Sequence, residues 1–274
     1  MHGGVRGREI YLNFPPTRLE VRMSDLSLED QIHAVKELID RADRFVFFGG
    51  AGVSTESGIP DFRGADGLYT EKGLIPPEKI LSRSFFKFHP KEFYSFYRDK
   101  LIYTEARPNM THIKLAEFEK SGKCSGVITQ NIDGLHQLAG SEKVFELHGS
   151  IYRNYCVKCG HEYGLDTVLE AGEDAGEGKF AGVPVCACGG IIKPDVVLYQ
   201  EDLDKGMSNA AAKLMQEADL LIIGGTSLNV FPAASLLQYF RGDNAVIINK
   251  EPTQFDKIAD VLIHDSLGKI FEKL

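Results

Sequence analysis

The chain of 274 residues lacks any apolar run approaching the roughly 20 residues that a membrane-spanning helix needs. It also lacks a secretion signal, because Met1–Met23 holds neither a contiguous apolar core nor a small-residue cleavage site. Arg6, Arg8, Arg18 and Arg22 lie in that segment, but Glu9, Glu20 and the lack of serine argue against a transit peptide. Residues 1–23 read as a disordered arm, or as sequence upstream of a start at Met23. A surplus of positive charge is missing as well. Against 31 Lys+Arg stand 39 Asp+Glu, for a net charge of −8. Nucleic acid is therefore not expected as a partner, since phosphate binding draws on excess Lys and Arg. An acidic surface suits lysine-bearing peptides instead. Five cysteines are too few for a secreted disulfide framework. The chain shows no internal repeat. These absences together point to the cytoplasm.

What is present is an ordinary globular balance, 43% hydrophobic and 26% charged. The length suits one large domain, or a medium domain with a small insert. Ser27 opens a helical stretch in which Leu28, Ile32, Val35, Leu38 and Ile39 recur at helical spacing, and Ser27 with Asp30 forms a capping-box pattern. Arg44–Phe48 then reads as a buried strand ending in Gly49-Gly50. The alternation continues with a helix over 113–119 and a strand over 126–129. Strands at 144–147, 220–223, 246–248 and 261–263 follow, with helices over 209–218 and 233–239 between them. Strands alternating with helices predict an α/β fold with a doubly wound, parallel, Rossmann-like sheet. Two regions break the rhythm. Residues 60–109 are aromatic-rich and read as mostly helical; residues 151–194 carry the cysteine pairs and an acidic stretch, Gly172–Gly178. The expected division is 24–59, 110–150 and 195–274 for the sheet domain, with 60–109 and 151–194 as a small helical and zinc-ribbon module.

Cys156-Val157-Lys158-Cys159 and Cys186-Ala187-Cys188 stand 26 residues apart. Two turn-like thiolate pairs fit a tetrahedral zinc site that staples a loop-rich module, and four thiolates leave no open position for catalysis. A redox dithiol or a nucleic-acid ribbon are the alternatives, and the acidic charge opposes the ribbon. Cys124 stands alone as a small apolar residue.

After the first strand comes Gly49-Gly50-Ala51-Gly52-Val53-Ser54-Thr55-Glu56-Ser57-Gly58. Glycines between a buried strand and a helix start let the backbone approach a pyrophosphate, whose charge the first N–H groups bind. On the glycines alone a plain turn is as good a reading. Gly58 and Pro60 stop any long helix, so the chain must leave the sheet as a loop carrying Asp61, Phe62 and Arg63.

With that continuation, Gly50–Ser54 followed by Ser57-Gly58-Ile59-Pro60-Asp61-Phe62-Arg63 resembles the signature of the sirtuins. Thr129-Gln130-Asn131-Ile132-Asp133-Gly134-Leu135-His136 is similar to that family's second motif, and Leu147-His148-Gly149 to the segment with its catalytic histidine. Gly225-Thr226-Ser227-Leu228 and Asn249-Lys250 resemble its cofactor-binding strand ends. The likeness runs from about residue 28 to the C-terminus.

The resemblance implies an NAD-dependent removal of acetyl groups from protein lysines. The acyl oxygen attacks the nicotinamide ribose, nicotinamide leaves, and His148 as general base activates a ribose hydroxyl. Free lysine, nicotinamide and O-acetyl-ADP-ribose result. NAD and Zn(2+) are the implied cofactors, and acetyl-lysine proteins or peptides the partners. Asn131 and Asp133 join His148 as catalytic residues, Asp133 toward the nicotinamide amide and Asn131 toward the ribose or a water. Each of Asp61, Asn131 and Asp133 also has an ordinary reading as a turn or cap residue. The cofactor set comprises Gly50, Ala51, Gly52, Thr55, Asp61, Phe62, Arg63, Gln130, Asn131, Ile132, Asp133, His148, Gly225, Thr226, Ser227, Asn249, Lys250 and Asp265. Phe62 would shield the reacting ribose face and Arg63 bind phosphate. Lys193–Glu201 resembles the substrate loop, so Val196, Val197, Tyr199 and Val230 are the substrate residues. A peptide would add as a strand between this segment and residues 226–230.

This chain departs from the family in three places. The second cysteine pair is C-x-C rather than C-x-x-C. Tyr199-Gln200-Glu201 stands where Phe-Gly-Glu is common. The Tyr-x-x-Arg of succinyl-preferring members aligns with Tyr94-Ser95-Phe96-Tyr97, with Arg98 one place later, which favours acetyl over succinyl groups. The runner-up function is mono-ADP-ribosyl transfer. A dehydrogenase and a non-catalytic zinc-dependent binding module rank below it.

Overall fold

A computed structural model describes residues 27–62, 67, 75–173 and 181–274. The expectations for residues 1–23, for Arg63 and for the acidic stretch from residue 174 on fall outside that range. Among the described residues the strands are β1 (Phe45–Gly49), β2 (Cys124–Thr129), β3 (Val144–Glu146), β4 (Gly149–Cys156), β5 (Glu162–Tyr163), β6 (Ile192–Val196), β7 (Leu220–Gly224), β8 (Asn244–Ile248) and β9 (Val261–Ile263). The helices are α1 (Leu28–Arg41), α2 (Pro77–Ile80), α3 (Arg83–Phe88), α4 (Pro90–Leu101), α5 (Met110–Lys120), α6 (Leu135–Leu138), α7 (Asp166–Glu173), α8 (Lys205–Gln216) and α9 (Leu267–Phe271).

Unbroken apolar runs of five residues make β1 and β7 buried on both faces, which only the centre of a parallel sheet provides. The six strands lie in the order β3-β2-β1-β7-β8-β9, and every neighbouring pair is parallel. Side chains alternate across the sheet. Phe45 and Phe47 enter one core with α1, α5 and α9. Val46 and Phe48 enter the other, with α8 and residues 233–239. Phe47 is fully buried and meets Phe271 edge-on at 5.8 Å, so Phe47→Ala would cost about 3–5 kcal/mol. The chain order reverses between β1 and β7, and the carboxyl ends diverge there into a crevice.

A second sheet, β5-β4-β6, is antiparallel. A third core joins α2, α3, α4 and α7 to one face of it, around Phe86, Phe93, Tyr94 and Tyr97. The two aromatic-rich and cysteine-bearing regions thus share one apolar cluster. No helix among the described residues is long and apolar enough to cross a membrane.

Three local expectations change. Residues 233–239 form a 3-10 run rather than an α-helix. The glycine segment after β1 forms two single 3-10 turns, Ala51–Val53 and Thr55–Ser57, and no α-helix starts there. At α1, Ser27 accepts from the Asp30 N–H at 3.2 Å, but its hydroxyl donates to the Asp30 carboxylate at 2.6 Å. A reciprocal capping box forms at α5 instead, between Asn109 and His112.

His112 packs against His136 of α6 with ring centroids 4.7 Å apart. Both are buried, and neither nitrogen of His136 has a partner among the described residues. Burial pushes His112 down to about 4, and burial with the neighbouring His112 pushes His136 well below its ordinary range. Both bases are therefore neutral in the fold. An unfolded histidine takes up its proton near pH 6.5, so the stability they contribute is complete above that pH and falls as pH drops toward 4. For His112 alone the loss approaches about 3 kcal/mol at pH 4. Urea midpoints should fall steadily from pH 6.5 to 4, and His136→Leu should flatten the slope. An unchanged slope in that variant would contradict this account.

Candidate active site

The strand ends build one cleft with a cavity of about 540 Å³. The segment after β1 contributes Gly50, Ala51, Gly52, Thr55, Asp61 and Phe62; that after β2 contributes Gln130, Asn131, Ile132 and Asp133. His148 enters after β3, and Val196, Val197 and Tyr199 enter from the end of β6. Gly225, Thr226, Ser227 and Val230 follow β7, Asn249 and Lys250 follow β8, and Asp265 follows β9. Residues from across the chain thus converge where a doubly wound sheet binds ligands.

The glycines permit a close approach between two loops. A Cβ on Gly52 would stand 2.8 Å from Gly225 Cα, and one on Gly50 would stand 2.8 Å from Thr226 Cβ. The glycine segment is therefore pressed against the β7 loop. Three of its N–H groups bind within the protein: Gly50 donates to Gly224 O, Gly52 to Gly225 O and Val53 to Gly50 O. No α-helix starts here, since the segment forms two single 3-10 turns, and Gly50, Ala51, Gly52 and Thr55 line the cleft.

His148 lies between β3 and β4, where the chain leaves one sheet and enters the other. Gly149 makes that corner possible. Its φ is +78°, and a Cβ there would stand 1.8 Å from Asp195 O. Arg153 braces the corner by binding the buried Glu146 at 2.7 Å and Asp195 at 2.8 Å. His148 Nδ1 lies 2.9 Å from the Gln130 carbonyl. A carbonyl only accepts, so Nδ1 carries the proton and Nε2 is left as the basic nitrogen. Burial lowers the His148 pKa, and the Gln130 carbonyl opposes this in part. The imidazole is thus a neutral base at neutral pH.

Ser54, which the sequence reading quoted but gave no role, ties the next pair together. Its hydroxyl donates to Asp133 Oδ2 at 2.6 Å and accepts from Asn131 Nδ2 at 3.0 Å. Asp133 Oδ1 accepts the Leu135 N–H at 2.9 Å, so this carboxylate also caps α6. Burial raises the Asp133 pKa, and the Ser54 bond is the strongest opposing influence. Gln130 reaches Thr226 Oγ1 at 3.0 Å, linking the loops after β2 and β7. Asp265 is held by Lys269 and the Ser266 N–H, which lower its pKa. Asn109, also unforeseen, donates to Val53 O at 2.7 Å and Ser57 Oγ at 3.0 Å, fastening the glycine segment to α5.

A model of the Sir2 family matches residues 50–232. An NAD-dependent protein deacetylase of Clostridium perfringens is 54% identical over 251 residues, which cover 90% of this chain and 99% of that protein. A solved Sir2 variant with deacetylated p53 peptide and 3'-O-acetyl-ADP-ribose superposes with a TM-score of 0.81 at 35% identity, covering 90% of this chain and 97% of that one. A Sir2 complex with p53 peptide and NAD+ gives 0.77 at 36% identity, over 88% and 96%. The chain belongs to the Sir2 family.

In this Sir2 protein the Tyr94–Arg98 stretch of α4 turns away from the cleft. Tyr94 and Tyr97 are fully buried, and the Tyr94 hydroxyl donates to the Ile192 carbonyl. Arg98 donates to Val168 O at 3.2 Å and lies over the Tyr94 ring. None of the three lines the cleft; Lys100, Leu101 and Tyr103 do. The missing cation at Tyr97 therefore says nothing about acyl preference. Helical spacing identified the element but not which face meets the cleft.

The four cysteine sulfurs lie within 4.8 Å of one another. Cys156–Cys188 and Cys159–Cys186 stand at 3.4 and 3.6 Å, near the ~3.8 Å edge of a tetrahedron with zinc–sulfur bonds of about 2.3 Å. None is in a disulfide. Backbone N–H groups of Lys158 and Cys188 point at Cys156 Sγ and Cys186 Sγ, which favours thiolates. The short C-x-C turn closes because Gly189 sits at φ +78° and a Cβ on Gly190 would stand 2.6 Å from Cys156 Sγ. The residues fit zinc, and none of them lines the cleft.

Proposed function

We propose that this Sir2 protein removes acetyl groups from protein lysines in an NAD-dependent reaction, with His148 as general base. The observation that carries the assignment of the base is the Nδ1 bond to Gln130 O, which leaves Nε2 free of its proton, with burial favouring the neutral ring. NAD, consumed in the reaction, supplies the ribose that receives the acetyl group. His148 Nε2 would take the proton from a ribose hydroxyl as that oxygen attacks the acyl carbon, once the acyl oxygen has displaced nicotinamide from the ribose. Asn131 and Asp133 are fixed through Ser54 to bind the nicotinamide and ribose end, and Phe62 with Ile132 excludes water from it. Thr226, Ser227, Asn249, Lys250 and Asp265 are assigned to the far end of the dinucleotide. Val196, Val197, Tyr199 and Val230 are assigned to the acylated peptide. Zinc is structural, since four thiolates complete its coordination.

Residues 24–59, 110–150 and 195–274 are read as the NAD-binding domain, and 60–109 with 151–194 as the module over it. A cytoplasmic location accompanies this reading, since it matches the use of NAD and a four-thiolate zinc site.

The test is incubation with an acetyl-lysine peptide, with and without NAD, followed by mass spectrometry of peptide, nicotinamide and O-acetyl-ADP-ribose. Deacetylation only with NAD, at one nicotinamide per lysine, is expected. Loss of the acetyl group without NAD would refute the reading. ADP-ribose fixed on protein while the peptide stays acetylated would favour mono-ADP-ribosyl transfer. A succinyl peptide run beside it settles acyl preference, for which Lys100 in the cleft is the residue to vary.

A further inference from the structure

Residues 196–201 form one wall of the cleft. A free loop of this length would sample many shapes, and a partner would have to order it on arrival. Here it is fastened at three places. Beneath it lies Lys193, a buried cation whose Nζ binds Val196 O at 2.9 Å, Pro194 O at 3.2 Å and Glu201 Oε2 at 3.1 Å. Glu201 Oε2 also accepts the Leu198 N–H at 2.9 Å. The lysine and the glutamate thus close the strip from both ends.

At its outer side the strip docks on the α2–α3 junction. Tyr199 N–H donates to Leu81 O, and Arg83 N–H to Tyr199 O, both at 2.9 Å. Next to this pair Gln200 adopts φ +74°, a conformation that favours glycine. Its side chain accepts the Ser84 N–H at 3.2 Å. A residue held in so unfavourable a conformation needs surroundings that enforce it, and the docked backbone with the Ser84 bond supplies them. At the inner end Val197 N–H donates to His148 O at 3.0 Å, so the wall and the proposed base share one backbone bond.

We propose that Lys193 and Gln200 are positioning residues for the acylated peptide, holding the strip 196–201 in its docking shape before the peptide arrives. Lys193 does not line the cleft; it acts through the carbonyls and the carboxylate it binds. The inference rests on the deacetylase reading and deepens it. The bonds that order the strip all lie within the protein, so their loss appears in peptide affinity rather than in turnover.

The experiment is initial-rate kinetics on an acetyl-lysine peptide for wild type, Lys193→Met, Lys193→Arg and Gln200→Asn, each with a thermal melt. Lys193→Met leaves Glu201 without its cation and should raise the peptide KM about tenfold, with kcat and the NAD KM within about twofold. Lys193→Arg should recover part of that loss. Asparagine tolerates positive φ but is one methylene too short to reach Ser84. Gln200→Asn should therefore raise the peptide KM about threefold with an unchanged melting temperature, a separation that a purely structural role would not give. If Lys193→Met fails to fold, Gln200→Asn decides. An active wild type with unchanged peptide KM in the folded variants would overturn the positioning role alone. A wild type that leaves the peptide acetylated would overturn the deacetylase reading beneath it.

Discussion

His148→Ala should lower turnover of an acetyl-lysine peptide by at least ~10²-fold while the protein stays folded, since a positioned base contributes about 10²–10⁴. Among the described residues His148 makes one side-chain hydrogen bond, to Gln130 O, and it is half-buried at the cleft. Removing it leaves no buried charge. The melting temperature should therefore barely change, and peptide binding should persist. The pH dependence follows from the direction of its shift. Burial holds the His148 pKa below its ordinary value, so the neutral base persists below pH 6.5 and the acidic limb of kcat/KM falls on the acid side of that value. A His148→Ala enzyme with near wild-type turnover would remove His148 from the chemistry, and Asp133 would be the next base to test. An acidic limb above pH 6.5 would contradict the burial argument.

Cys159→Ala should release close to one equivalent of zinc and lower the melting temperature by about 10 °C or more, the shift expected for several kcal/mol in a chain of this size. The core around Cys156, Cys186 and Ile192 is small, and β5 is only two residues long, so little else closes that end of the second sheet. β4 and β6 flank His148 and the peptide wall, so activity should fall with the fold rather than through chemistry. Metal analysis beside a thermal melt decides the matter. Retained zinc with full stability would show that Cys159 is not a ligand.

Much of this was legible before any coordinates. β1 and β7 are uninterrupted apolar runs closed by glycine, and only a buried parallel strand fits that pattern. The cleft residues were readable because they follow strand ends, where side chains meet whatever the sheet binds. The failures have one physical origin, contacts between segments far apart in sequence. The glycine segment looked like the start of an α-helix and forms two 3-10 turns. It is pressed against Gly225 and Thr226, which the sequence holds about 170 residues away. Tyr94 and Tyr97 are apolar at helical spacing, and the spacing does not say which side of α4 the cleft lies on. The capping box at Asn109 went unseen because a histidine fills the place usual for Glu or Gln. Lys193 read as part of a loop motif, and only the folded chain shows it buried among carbonyls.

The corner at Gly149 has a consequence for anyone mutating this protein at random. In a saturation library, positions 148 and 149 would both appear intolerant, and ranking by activity would score them alike. Their failures differ in kind. On the proposed role of His148, variants at 148 would accumulate without turning over. Variants at 149 place a Cβ into the Asp195 carbonyl, so they never accumulate, whatever their chemistry. Sorting the same library for abundance as well as activity separates the two, and only then does a neighbouring pair of fixed letters resolve into one reactive group and one empty space.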